Sequence, residues 1–135
     1  MKILIDTNIL FSAVLFPKGV ALRFLNSALK RRDDILLPTY CIDEARGVFA
    51  RKAPKYIPAL EKFLSSFPFH VVFVEANPPR GKAEIRDEKD YPVLYCAIQE
   101  NTEILVTGDK DFKDAKFDSG PEIMTPSEFL QRYMQ

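Results

Sequence analysis

Five short apolar segments, each too short to form a helix of typical length, alternate along the chain with longer segments of helical periodicity. Residues Lys2 to Ile5 form the first, and the others are Ile35 to Leu37, His70 to Glu75, Glu103 to Val106 and Ile123 to Met124. Between them, apolar residues recur three or four positions apart, which is the period of an amphipathic helix. Strands that alternate with helices favour right-handed crossovers and a mostly parallel sheet with both faces covered. The sequence therefore predicts an α/β fold, a three-layer α/β/α sandwich, over residues 1–135 as one domain.

Carboxylates follow two of the predicted strands at their carboxyl ends. Asp6 ends the first strand and begins the polar segment Asp6-Thr7-Asn8, while Asp109 and Asp111 lie in the turn after Val106. Parallel α/β sheets bind their ligands at the carboxyl ends of the strands, so we expect Asp6 and Asp109 to share a site. Asp6 also has apolar neighbours on both sides, and a carboxylate that borders a core requires compensation, which a cation supplies.

Two further acidic residues lie on a predicted helix or directly before one. Glu44 falls in a helix that Thr39 or Asp43 could cap, and Asp90 precedes a helix with Pro92 in its first turn, where Asp90 could be the N-cap. Carboxylates that converge repel one another unless a cation lies among them, and hard oxygen ligands suit Mg²⁺ or Mn²⁺. Glu44 could equally be a solvated residue paired with a neighbouring arginine.

The remaining composition excludes other kinds of site. The chain has one histidine, His70, and two cysteines, Cys41 and Cys96, which is too few for a histidine-rich zinc site and favours reduced, buried thiols. No phosphate-binding glycine loop and no GxSxG nucleophile motif occurs. Net charge is zero, but residues 1–68 carry 11 Lys and Arg against 6 Asp and Glu, and residues 69–135 carry 8 against 13. The sequence therefore favours metal chemistry that depends on carboxylates.

Four segments together resemble the PIN-domain family and its branch of VapC-like toxin ribonucleases. They are ILIDTNILFSA from Ile3, the helix around Glu44, DEKDYPVLYCAIQENTEILVTGDKDF from Asp87, and the TPSEFL ending from Thr125. The resemblance covers nearly the whole chain. It implies a catalytic and metal-binding quartet of Asp6, Glu44, Asp90 and Asp109, which Asp87 and Asp111 could assist. Asn8 and Thr107 would then hydrogen-bond a metal ligand or its water.

The same resemblance implies a metal-dependent endoribonuclease, the toxin of a toxin-antitoxin pair, with RNA as substrate, a small antitoxin as partner and a homodimer as assembly. Arg46, Arg51 and Lys52 are candidates for contacts with RNA phosphates, although solvated helix charge is the default interpretation of such residues. The apolar runs are much shorter than a membrane span, and the N-terminus lacks the apolar region of a secretory signal. We expect a cytoplasmic protein that does not enter a membrane.

Two alternative functions stay open from the sequence. One is a noncatalytic PIN-like module that binds RNA or protein. The other is a phosphatase that forms an aspartyl-phosphate on Asp6, because an aspartate after the first strand has this role in other α/β proteins. Such a site requires a second aspartate two positions later, where this chain has Asn8, so the sequence disfavours the phosphatase.

Overall fold

A parallel sheet forms the centre of the structure, a computed structural model that describes residues 1–75 and 77–134. Within these residues the sheet has five strands in the order β3-β2-β1-β4-β5, and every neighbouring pair is parallel. The strands are β1 (Lys2–Ile5), β2 (Asp34–Pro38), β3 (His70–Val72), β4 (Ile104–Val106) and β5 (Glu122–Met124). The predicted α/β fold is confirmed.

Six α-helices connect and follow the strands in the described part of the chain. They are α1 (Thr7–Leu15), α2 (Val20–Lys30), α3 (Thr39–Lys52), α4 (Ile57–Ser66), α5 (Tyr91–Gln99) and α6 (Pro126–Tyr133). Short 3₁₀ turns occur at Pro54–Tyr56, Glu88–Asp90 and Lys110–Phe112. No single helix among the described residues is long and apolar enough to cross a membrane. One pair of helices, α1 and α2, passes the same test of length and composition when taken together, but the pair is bent by 107°.

The central strand shows that both faces of the sheet are covered. Ile3, Leu4 and Ile5 are consecutive in β1, and each is 0% exposed. Successive side chains of a strand point to opposite faces, so full burial of all three requires helices on either side. The sandwich therefore encloses β1 completely, and the residue that follows β1 begins at the edge of this core.

Several boundaries differ from the sequence prediction for local physical reasons. The third strand ends at Val72 rather than Glu75, and Phe73 is exposed because β3 lies at the edge of the sheet. Asp90 precedes α5, but its backbone is already helical, so its side chain makes no capping hydrogen bond. Asp87 instead caps the preceding 3₁₀ turn by accepting a hydrogen bond from Lys89 N at 3.0 Å. The loop-forming residues after the third strand also predict an irregular stretch over residues 76–89, of which Ala76 lies outside the described residues.

We expect Leu4→Ala to destabilise the protein far more than Leu29→Ala. Leu4 is fully buried in the central strand, and Leu→Ala at such a position costs about 2–5 kcal/mol of the free energy of unfolding. Leu29 is 41% exposed on α2, where both residue types favour a helix, so the matched change should cost less than about 1 kcal/mol. Urea unfolding followed by circular dichroism measures both, and equal losses would contradict the described core.

Candidate functional site

The pairing of β1 with β4 brings two distant chain segments together at the carboxyl edge of the sheet. Ile5 pairs with Val106, and Asp6 N donates a hydrogen bond to Val106 O at 3.2 Å. From this pair, β2 and β3 extend to one side and β5 to the other. Parallel sheets leave a crevice where the strand order reverses in this way. Asp6 and the segment Thr107–Asp109 border that crevice.

Hydrogen bonds hold the Asp6 carboxylate in one orientation. Its Oδ1 accepts from Thr7 N at 2.7 Å, and its Oδ2 accepts from Thr107 Oγ1 at 2.9 Å and from Asn8 Nδ2 at 3.2 Å. Thr107 Oγ1 also accepts from Asp109 N at 3.0 Å, while Asn8 Oδ1 accepts from Gly108 N at 3.1 Å. These bonds join the start of α1 to the turn after β4. Asn8 and Thr107 therefore fix the relative positions of Asp6 and Asp109.

The four acidic residues of the predicted quartet line one cavity of about 320 Å³. Asp6 enters it from the end of β1, Glu44 from α3, Asp90 from the turn before α5 and Asp109 from the turn after β4. The rest of the wall comes from α1 and α3, with Thr7, Asn8, Phe11, Ser12, Val48 and Lys52. The fold thus gathers carboxylates that are far apart in the chain.

Burial and mutual repulsion make two of these carboxyl groups hold protons unusually well. Burial raises the pKa of Asp6 to about 6, and the charges of Glu44 and Asp109 add to this, against hydrogen bonds from Thr7 and Thr107 that lower it. Burial, followed by the charges of Asp6 and Asp109, raises the pKa of Asp90 to about 8. Ionised forms of both residues are therefore unfavourable unless positive charge enters the cavity.

A second group of carboxylates adjoins the cavity. One oxygen each from Asp87, Asp90 and Asp111 lies within 4.8 Å of the other two. Asp111 accepts two hydrogen bonds from Arg86, from Nε at 3.0 Å and from Nη2 at 2.7 Å. The sequence interpretation did not single out Arg86, although it directly precedes Asp87. Arg86 therefore supplies the positive charge beside Asp111, whereas Asp90 forms no ion pair with any of the described residues.

The donor set fits a divalent cation. Oδ2 of Asp90 is buried and has no hydrogen-bond partner among the described residues. A buried carboxylate oxygen without a partner is costly, and a cation among converging carboxylates removes that cost. The remaining candidate ligands are also carboxylate oxygens, which suit Mg²⁺ and Mn²⁺. Asp6, Glu44, Asp90 and Asp109 could hold such an ion, with Asp87 and Asp111 beside it.

The three candidate RNA contacts lie on α3, and the cysteines and the histidine lie outside the cavity lining. Lys52 lines the cavity, whereas the exposed Arg46 forms a two-fold ion pair with Glu61 at 2.8 and 2.9 Å. Arg51 is exposed in the last turn of α3. Cys41 and Cys96 are buried free thiols, and His70 lies on the surface 3.4 Å from Asp34. Only Lys52 of the three candidate RNA contacts lies in the cavity wall.

Comparison with known proteins identifies a family. The chain matches the PIN domain family over residues 2–111. It is 25% identical to the uncharacterized protein MJ1680 of Methanocaldococcus jannaschii, with 98% of this chain and 92% of that protein covered. Its fold is similar to the structure of VapBC2 from Rickettsia felis bound to a DNA fragment from their promoter, with a TM-score of 0.68, 19% identity and coverage of 93% and 98%. The PIN domain endonuclease Utp24 is a more distant neighbour, with a TM-score of 0.52, 14% identity and coverage of 83% and 74%.

Thr107→Val should loosen the site, whereas Thr102→Val should not. Both threonines are buried, but Thr107 Oγ1 bonds to Asp6 and Asp109, and Thr102 Oγ1 has no partner among the described residues. We expect the first change to cost about 1.5–3 kcal/mol of stability and to raise the pKa of Asp6 above about 6. The second change should be neutral or stabilising. Urea unfolding and carboxyl carbon NMR titration in EDTA measure both, and equal effects of the two variants would refute the assigned role of Thr107.

Asp90→Asn should stabilise the metal-free protein at pH 8 more than at pH 5. The folded protein retains the Asp90 proton up to a pKa of about 8, whereas the unfolded chain releases it near 3.8. The folded state therefore binds more protons in this window, and its stability declines as pH rises through it. The asparagine variant lacks this decline. Melting temperatures in EDTA test the effect, with the exposed Asp114→Asn as control, and a gain that does not grow with pH would contradict it.

Proposed function

The chain belongs to the PIN domain family, and from that membership and its acidic cavity we propose that it is a divalent-metal-dependent endoribonuclease. One observation carries the proposal. Four carboxylates from separate segments line a single cavity, and a buried oxygen of one of them, Asp90 Oδ2, has no partner among the described residues. Such an arrangement is unfavourable for stability alone, and it is the arrangement expected of a site that binds a cation and a phosphate.

The proposed ligands are Asp6, Glu44, Asp90 and Asp109, with Mg²⁺ or Mn²⁺ as the ion and Asp87 and Asp111 in supporting positions. A bound divalent cation polarises the scissile phosphate and lowers the pKa of a water molecule. To hold the cation in place for both of these effects, the carboxylate ligands must have a fixed orientation. Thr7 N, Thr107 and Asn8 provide this for Asp6 through the three hydrogen bonds to its oxygens.

In the proposed reaction, water attacks the phosphorus atom in line with the leaving oxygen. The new oxygen–phosphorus bond forms as the bond to the 3′ oxygen breaks, which leaves a 5′-phosphate and a 3′-hydroxyl group. An ionised carboxylate of the cavity would accept the proton that the water releases. The leaving 3′ oxygen takes up a proton from solvent. Because water attacks phosphorus directly, the reaction needs no covalent intermediate on the protein.

RNA binding in this proposal begins with Lys52, whose side chain lines the cavity and can meet a phosphate there. Arg46 can exchange its partner for a phosphate at small cost, because its ion pair with Glu61 is exposed and such pairs contribute little to stability. Arg51, on the same helix, extends this basic surface. The basic surface thus adjoins the acidic cavity.

We also propose a biological setting for the activity. The fold resembles that in the VapBC2 structure, so a toxin role with a small antitoxin partner, a homodimeric assembly and a cytoplasmic location are the corresponding proposals for this chain. We further propose that residues 1–135 act as one functional domain. The fold similarity supports the comparison, and the partner requires its own test by copurification.

The two alternative functions make different predictions. An aspartyl-phosphate mechanism would use Asp6 as a nucleophile, yet both oxygens of Asp6 accept hydrogen bonds, and Asn8, two residues later, cannot act as an acid. A noncatalytic binding module would bind RNA or protein without any requirement for a cation. The repulsion among the cavity carboxylates supports the metal-dependent proposal over this module.

Purified protein with Mg²⁺ or Mn²⁺ should cut a mixed RNA pool, and Asp6→Asn should reduce the rate by about a hundredfold or more. The asparagine retains the size of the side chain but removes the charge that holds the cation. Gel analysis and sequencing of the fragment ends measure the rate and identify the 5′-phosphate.

Asp114→Asn is the matched control, because it makes the same change at an exposed position outside the cavity. It should leave the rate unchanged, and EDTA should abolish cutting by every variant. Folded protein that cuts none of the RNAs with either metal, after removal of any bound inhibitor, would refute the nuclease and favour the binding module.

A further inference from the structure

A groove between α2 and α6 carries positive charge, and its described lining contains no acidic residue. It has a volume of about 540 Å³ and is lined by Arg23, Asn26, Ser27, Lys30, Leu130, Gln131 and Met134. The four lining residues of α2 recur three, four and seven positions apart, so they form one face of that helix. The packing of Phe24 against Phe129, with ring centroids 4.9 Å apart, holds the two helices together. The groove therefore has fixed walls.

The two cations of the groove are available to a ligand. No carboxylate of the described residues forms an ion pair with Arg23 or Lys30. Arg31 differs, since it pairs with Asp33 at 2.9 Å and lies over the ring of Tyr133. Residues 7–32 contain five Lys and Arg and no Asp or Glu, so this segment itself carries no acidic residue that could neutralise the groove.

Hydrogen-bonding groups accompany the charges in the groove wall. Ser27 is 4% exposed, and its hydroxyl oxygen has no hydrogen-bond partner among the described residues. Asn26, the residue before it, also lines the groove. Guanidinium, ammonium, hydroxyl and amide groups are the donors that proteins use for phosphate oxygens. Carboxylate groups, which would repel a phosphate, are absent from the described lining.

We propose that this α2–α6 groove binds the phosphate backbone of RNA at a distance from the cavity. The inference rests on the proposed nuclease function and adds a second contact surface for its substrate. Lys30 lies just before β2, at the amino edge of the sheet, whereas Asp6 lies at the carboxyl edge. The four residues of β1 separate these edges by about 13 Å. An RNA of several nucleotides spans that distance, so the groove selects substrates that extend beyond the cleavage point.

The test is RNA binding by the cleavage-deficient Asp6→Asn protein and by the same protein with Arg23→Gln and Lys30→Gln. The probe is a fluorescent single-stranded RNA of about 16 nucleotides, and anisotropy is measured over a range of salt concentrations. Loss of two phosphate contacts should lower the slope of log affinity against log salt by about 1.4, because each contact with a single strand contributes about 0.7. The dissociation constant should rise for all RNA sequences alike.

Two control proteins make the result specific. Lys82→Gln with Lys116→Gln removes the same charge from exposed positions on the other half of the chain and should leave the slope unchanged. Arg23→Lys with Lys30→Arg preserves the charge and should retain affinity, which separates loss of charge from loss of folding. Circular dichroism checks that each variant is folded.

An unchanged slope in the groove variant overturns the proposal, and so does an equal change in the Lys82 and Lys116 control. Absence of RNA binding by the parent protein also overturns it. Binding that depends on the groove while the native chain cuts no RNA would support the groove and refute the nuclease, so the two proposals fail separately. An acidic protein partner becomes the better assignment only if RNA binding does not depend on Arg23 and Lys30.

Discussion

The parallel pairing of β1 with β4 is the contact on which the rest of the molecule depends. It joins residues about a hundred positions apart, and the bond from Thr107 Oγ1 to Asp6 Oδ2 continues it beyond the last paired residues. The other strands extend the sheet on either side, and the helices enclose β1 because its side chains point to both faces. Without this pair, the acidic residues of the first and last thirds of the chain have no common location.

The carboxylates that the fold brings together in the cavity repel one another. Asp6 and Asp90 have raised pKa values because the fold removes them from water and brings them close to other carboxylates. The fold compensates only in part, through neutral donors to Asp6 and through Arg86 beside Asp111. A cation bound among these carboxylates, as we propose, would relieve the repulsion that remains in the folded protein. Function and stability therefore make opposite demands on the same side chains.

The sequence was sufficient for the order of strands and helices and for the carboxylates at strand ends, because local periodicity and turn residues determine these features. The sequence was insufficient for features that depend on contacts between residues far apart in the chain. The end of β3 at Val72 follows from its place at the sheet edge, and the pairing of Arg86 with Asp111 joins residues 25 positions apart. Asp90 has the local pattern of a helix cap, yet the 3₁₀ turn that Asp87 caps already gives Asp90 a helical backbone. Strand ends predicted a site shared by Asp6 and Asp109, but local patterns alone did not place Glu44 and Asp90 in the same cavity.

The long separation between Asp6 and Thr107 also bears on how the protein is made. Ribosomes add about 5–20 residues per second, so β4 follows β1 by about 5–20 seconds. Contacts of such long range form late in folding, since a large loop must close first. A nascent chain that ends before β4 lacks the central strand pair and Asp109, so the cavity is incomplete. The four carboxylates of the acidic pocket can therefore come together only after the turn that follows β4 has been synthesised.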